Sequence, residues 1–366
     1  MPPIQNNLLG SLIVGFALLN APAAMTSEDI RIPNLNQLEK KYGPSSDFLA
    51  KTRIIAEVSD GNNFYGDFGA LMQIQLMEKH YAVLETVVDE YGRPQLLQDG
   101  ASKATALDTA LSALTHLSQG AEWWAAVMQE WRTTHPNSTA RALIEAHYAI
   151  TEAWSARGRS FNAPRAPLAL QVFQEQLARA RGILKESEVY AAHHPLWHQL
   201  YLRTYVGEGQ NREEALAAYK KAALRFPDYE GIPAEYVRLL TPRWGGTPKQ
   251  LLEFTNQATA TAKAKRKSAT YAWLNIAADD ETYPYQDLLR QGILPWARLK
   301  ESVLETTRLY PKSLWHLNHF ASLACRINDK ATYLKLRPKI GQQVIEDAWP
   351  QNLRMELCDV RFGSES

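Results

Sequence analysis

Cysteine is scarce: 366 residues contain two, Cys325 and Cys358. That excludes a cysteine-dense secreted scaffold, and two cysteines alone cannot build a structural zinc site of the usual four ligands. Charge of one sign is not in excess either. Forty Lys and Arg stand against 39 Asp and Glu, a net charge of +1, so nothing suggests a nucleic-acid binder. No H-E-x-x-H zinc motif, G-x-S-x-G elbow or G-x-x-x-x-G-K-[ST] phosphate loop occurs. No metal and no cofactor is therefore expected. Alternating strand patterns are missing, which excludes a sheet-based fold.

Long hydrophobic runs are missing as well. The most apolar stretch, Leu8 to Leu19, is too short to span a bilayer. It precedes Ala21-Pro22-Ala23, a small-x-small cleavage pattern, with Ala24 as the alternative. Residues 1–24 are read as a signal peptide, although the stretch before Leu8 holds no Lys or Arg. Cleavage would leave a periplasmic or secreted protein with no stable membrane span. In such a compartment Cys325 and Cys358 are expected to form a disulfide.

Helical periodicity is what the sequence has in quantity. Residues 25–66 are polar and broken by glycine and proline, and are read as an irregular segment. From Asp67 to Tyr91 one stripe runs through Leu71, Ile74, Met77, Tyr81, Leu84 and Val88. Further segments of similar pattern follow to the C-terminus, with Gly158 as a C-cap and Asn211 and Thr247 as N-caps. Ala215, Tyr219, Ala222 and Pro227 match half of a tetratricopeptide (TPR) helix pair, and Leu202 fits its first helix. Arg203 departs from that pattern, standing where the repeat takes a small glycine. The fold expected over 67–366 is all-α, an irregular TPR-like α-solenoid of antiparallel helical hairpins.

Three stretches together suggest a relationship: "PRWGGT" (242–247), "NHFASLACRINDKATYLKLRPKIG" (318–341), and Trp349 followed by Cys358. "EAWSARG" (152–158) adds to them. On these residues the chain resembles a bacterial family known as a domain of unknown function, with TPR-like helices and a PRWGG motif, whose members are often exported. The likeness covers residues from about 120 to about 360. It implies a helical fold and export, and it assigns no activity and no catalytic residue.

The loop Arg243-Trp244-Gly245-Gly246 interrupts the helical pattern. Paired glycines permit a left-handed backbone and close approach. The preferred reading makes Trp244 a wedge between hairpins, with the glycines giving it room. The alternative is an anion site, because Thr247 and Pro248 start a helix beside an arginine. Binding candidates are Arg157, Arg203, Arg243, Trp244, Gly245 and Gly246. Arg159 adds a further basic residue. If Arg243 faces a groove, its loss should weaken binding and leave stability nearly unchanged.

The remaining polar groups have plain readings. His193, His194 and His198 form one group of histidines and His316 and His319 a second; metal binding is the minor reading, and His316 and His319 are read as helix-interface histidines. "ADDE" (278–281) is read as the polar end of a helix, and Glu145, Glu152 and Glu175 as members of charged faces. "KAKRK" (263–267) is read as a solvated basic run near a helix end. The function expected is non-catalytic recognition of a protein or peptide partner. The alternatives are a hydrolase-like enzyme with a pocket between hairpins, and an envelope scaffold or toxin-neutralising protein.

Overall fold

A computed structural model describes Lys40 and residues 64–115, 120–158, 167–206, 211–350 and 352–363. The signal-peptide reading, Arg159 and most of the expected irregular segment lie outside the described residues. Fifteen α-helices are described, and no strand beyond one isolated bridge between Leu96 and Ser102. They are α1 (Phe64–Met77), α2 (Tyr81–Tyr91), α3 (Lys103–Thr115), α4 (Ala121–Thr134) and α5 (Thr139–Arg157). Next come α6 (Pro167–Ala191), α7 (Pro195–Arg203), α8 (Arg212–Arg225), α9 (Gly231–Leu239) and α10 (Pro248–Thr261). The last are α11 (Lys267–Thr282), α12 (Trp296–Leu309), α13 (Leu314–Arg326), α14 (Lys330–Ile340) and α15 (Met355–Phe362). The all-helical expectation is met.

Local chemistry explains where these helices start. Thr247 accepts from the Gln250 amide and Gln250 reaches back to the Thr247 amide, a complete capping box, with Pro248 in the first turn of α10. Ser138 caps α5, and the Glu85 carboxylate from α2 receives the Thr139 and Ala140 amides. One helix thus supplies the cap of another. The Asn211 side chain makes no capping bond at the start of α8. The expected helix over 67–91 is two helices, broken at Lys79 by a left-handed backbone (φ 59°). The first of them begins three residues earlier than expected, at Phe64.

Packing follows a simple order. Thr139 and Arg141 at the start of α5 bond to Tyr190 near the end of α6, while Trp154 near the end of α5 meets Phe173 in α6. The pair is therefore antiparallel. Helices α1, α3, α5, α7, α9 and α11 also pack on one another in series, forming a row flanked by the helices between them. One apolar cluster runs unbroken from Phe68 to Phe362.

At the end of the chain Cys325 in α13 and Cys358 in α15 form a disulfide, both fully buried. Asp359 beside it accepts from Tyr333 and from Arg337 Nε. The bridge closes a loop of sequence separation 33. By the chain-entropy account this contributes about 3–4 kcal/mol. Denaturant unfolding with and without reductant should show a loss of that order, and the Cys325→Ser/Cys358→Ser double variant should be insensitive to reductant.

Candidate functional site

The row of helices is held inside by charge. Arg203, at the end of α7 and 1% exposed, is doubly bonded to Asp108 of α3, at 3.0 and 2.7 Å. Its Nε and Nη2 also donate to Glu235 of α9, at 3.1 and 3.0 Å. Gln199 donates to Asp108, and Tyr229 donates to Gln199. His147 of α5 lies 3.5 Å from Asp108. Burial alone would raise the Asp108 pKa, but the Arg203 guanidinium outweighs it and holds the carboxyl well below its ordinary range. Arg238 extends the network on α9, at 3.2 Å from Glu235. Arg203 was a binding candidate in the sequence. The structure places it in the interior, out of reach of a partner, because two buried carboxylates need its charge.

The network leads to the loop that the sequence singled out. Glu281 of α11 is buried, and burial raises its pKa while Arg243 and Arg238 pull it back. Arg243 Nη1 lies 3.2 Å from the Glu281 carboxylate and donates to its backbone carbonyl. Trp244 Nε1 donates to the same carboxylate at 2.8 Å. Residues Pro242–Trp244 form one short 3-10 turn. Gly245 follows with φ 77°, and a Cβ at Gly246 would fall on the Leu240 carbonyl. The glycines are thus needed for the turn and for its close approach to α9. Arg243 is mostly buried and anchors the corner to Glu281, so its expected stability-neutral loss is not supported.

On its outer side Trp244 meets Arg157, whose guanidinium sits 4.6 Å from the indole centroid. The same guanidinium is 5.4 Å from the rings of both Trp154 and Phe173. Trp154 packs edge-on against Phe173 and Trp244. An arginine held among three aromatic faces is fixed in orientation as well as attracted. Arg157, Arg243 and Trp244 do come together, as the sequence reading required. Trp154 and Phe173 were missed, although Trp154 and Arg157 share a helix face by their i,i+3 spacing.

Beside Trp244 lies a crevice of about 20 Å³, lined among others by Tyr205, Asn211, Arg212 and Tyr236. It has room for one or two water-sized groups. Arg212 Nη2 donates to the Trp244 carbonyl at 2.6 Å, which uses one of a guanidinium's five donors. Arg181 stacks over Tyr205 at 4.2 Å. Leu168 and Leu170, in the first turn of α6, are 68% and 39% exposed.

The histidines are largely interior. His194 receives the Leu196 amide and caps α7, His198 bonds the Ala192 carbonyl, and His316 accepts from Trp273. His193 is exposed, and His319 lies 3.6 Å from Asp280. No group of three or more metal-ligating side chains exists among the described residues. "ADDE" does end a helix, α11, but it is not a solvated end: Asp279 and Glu281 are buried and only Asp280 faces solvent. Nor is Glu145 on a charged face, being buried between Arg132 and Arg141. Both departures arise because arginines compensate these acids: Arg326 for Asp279, Arg243 for Glu281, and Arg132 with Arg141 for Glu145. The basic run after α10 is also partly tied down, with Lys263 and Arg266 reaching Asp228 and Arg266 reaching Glu230.

Two outcomes test this geometry. Arg243→Ala strands the Glu281 carboxylate and should cost about 3 kcal/mol in denaturant unfolding. Adding Glu281→Gln should recover most of that loss, since the amide oxygen still accepts from Trp244. The second outcome concerns acid. Burial lowers the pKa of His194 and His316 to about 3 and of His198 to about 4, from 6.5. Between 6.5 and those values the unfolded chain binds protons that the folded protein does not, so stability falls with pH. Asp279, raised by burial to about 7 from 3.8, opposes this by taking up its proton first in the folded state. The melting temperature should therefore fall between pH 6.5 and 4, and more steeply in Asp279→Asn.

No family model, no curated protein and no solved structure matches this chain.

Proposed function

We propose that this protein is an exported, non-catalytic helical-repeat protein that recognises a protein or peptide partner at the Arg157–Trp244 corner. The observation that carries this reading is an arginine fixed among Trp154, Phe173 and Trp244, with Leu168 exposed in the first turn of the helix that carries Phe173. Tryptophan and arginine supply much of the binding energy at protein interfaces, because they offer large contact areas and fixed polar groups. A rigid corner loses little conformational entropy when a partner docks.

Other features agree with this. Leu202, Ala215 and Ala222 are buried where a TPR-like helix pair needs small or apolar contacts. The Cys325–Cys358 bridge suits an oxidising compartment, as does the apolar run before Ala23. We also keep the relationship to the helical PRWGG family as part of this reading. A catalytic alternative finds less support at the charge network, where Asp108, Glu235 and Glu281 are held by Arg203, Arg238 and Arg243.

A photo-crosslinking amino acid at Leu168 tests the proposal in cells. The expected result is a discrete protein adduct, absent when the same group replaces Val189, which is 98% exposed on the far end of α6. Equal labelling at both positions, or none at Leu168, would overturn it.

A further inference from the structure

We infer that the Cys325–Cys358 bridge is a reducible latch: thiol–disulfide exchange with a dithiol frees α15 from α13, while the helices before it stay packed. This inference is independent of the partner-recognition reading.

The first argument is how little besides the bridge holds α15. It has eight residues, and an isolated helix of fewer than about 12 residues is marginal in water. Its order therefore comes from docking. Met355, Cys358, Asp359 and Phe362 form its buried stripe. Among the described residues, its side-chain bonds to other helices all run to α13 and α14. Tyr333 and Arg337 donate to Asp359, Tyr333 donates to the Met355 carbonyl, and Arg361 donates to the Cys325 carbonyl. On the opposite side Leu357 and Val360 are exposed, so no described element packs over the helix from outside.

The second argument is that the helices left behind are anchored without it. Arg326 at the end of α13 pairs with Asp279 of α11. Asn318 of α13 accepts from the Trp349 indole. Asp329 caps α14, accepts from Trp296 Nε1 at 2.8 Å and lies 3.2 Å from Lys300, both residues of α12. Arg337 keeps its bond to the Gly341 carbonyl when Asp359 leaves. Undocking α15 is therefore a local opening, of the kind that proteins make without unfolding globally.

The surroundings of the sulfurs are the third argument. Both cysteines are fully buried, but Cys358 lies on α15 itself, so the opening that undocks α15 also brings the bridge to solvent. Arg361 Nη1 lies 3.9 Å from Cys325 Sγ and satisfies the Cys325 carbonyl near the end of α13. Arg361 is one turn from Cys358, so the intact bridge keeps it near. A cation there favours Cys325 as the leaving thiolate. One thiolate of the dithiol attacks Cys358 Sγ. The Cys325–Cys358 bond breaks, a mixed disulfide forms and Cys325 leaves. The second thiolate of the dithiol then attacks its own sulfur in the mixed disulfide and displaces Cys358. The dithiol ends as a disulfide, and its two thiol protons pass to Cys325 and Cys358.

The test is hydrogen exchange read by mass spectrometry on the full chain, with and without dithiothreitol, in native buffer at mildly alkaline pH. In the reduced protein the amides of α15 should exchange about a hundredfold faster, while those of α7 and α9 keep their protection. The Cys325→Ser/Cys358→Ser variant should show the same pattern without reductant. Unchanged protection of α15 after reduction would overturn the latch, and so would loss of protection along the whole chain, which would make the bridge a global brace. A bridge that dithiothreitol leaves intact in native buffer, with no thiol open to alkylation, also overturns it. The direction of attack has its own readout. Glutathione, quenched with acid during the reaction, should be found on Cys358, and an adduct chiefly on Cys325 would refute the role given to Arg361.

Discussion

The buried pairing of Arg203 with Asp108 and Glu235 is the constraint around which this protein is arranged. Asp108 lies in α3, Arg203 in α7 and Glu235 in α9, with His147 of α5 next to Asp108. Four successive members of the central helix row therefore meet around the Arg203–Asp108 pair. Removing such charges from water is costly, and the cost is offset only where nearly every donor and acceptor finds a partner. Arg203 meets that condition with bonds from Nε, Nη1 and Nη2. Apolar packing tolerates sliding between helices, but a bidentate ion pair does not. The network thus specifies the register of the row more than it adds to stability.

The same principle recurs three times in the later part of the chain. Glu281 fastens the Pro242–Trp244 turn to α11 through Arg243 and the indole. Asp279 holds Arg326 of α13, and Asp359 holds Arg337 of α14 beside the disulfide. Each acid sits on one helix and each arginine on another, so the interior carries cross-links of charge along its length. The outer corner inherits its rigidity from them. Trp244 is fixed on its inner side by Glu281, and its outer face can then hold Arg157 in a defined position. The placement of Arg157 at the outer corner depends in this way on electrostatics in the core.

Much of the fold is legible in the chain itself. Apolar spacing at three and four residues yields helices, and Thr247-Pro248 with Gln250 yields the start of α10, because caps and periodicity are local effects. The pair Cys325 and Cys358 was readable for a similar reason: with two cysteines only one intramolecular bridge is possible. The corner was partly readable. Arg157, Arg243 and Trp244 stood out by residue type and by the glycines that follow, while Trp154 and Phe173 looked like ordinary core aromatics.

What the sequence by itself determined, then, is the all-helical class, most helix limits, the disulfide pairing and the glycine turn at Gly245-Gly246. Each follows from residues close together or from a choice with one answer. Tertiary structure alone decided that Arg203 is an interior hub, that Glu281 lies buried under Trp244, and that Lys79 breaks one apolar stripe into two helices. A charged residue carries no local mark of whether a partner of opposite sign awaits it in the core. That partner, Asp108 for Arg203, lies 95 residues away, and only packing of the intervening helices brings the two within reach.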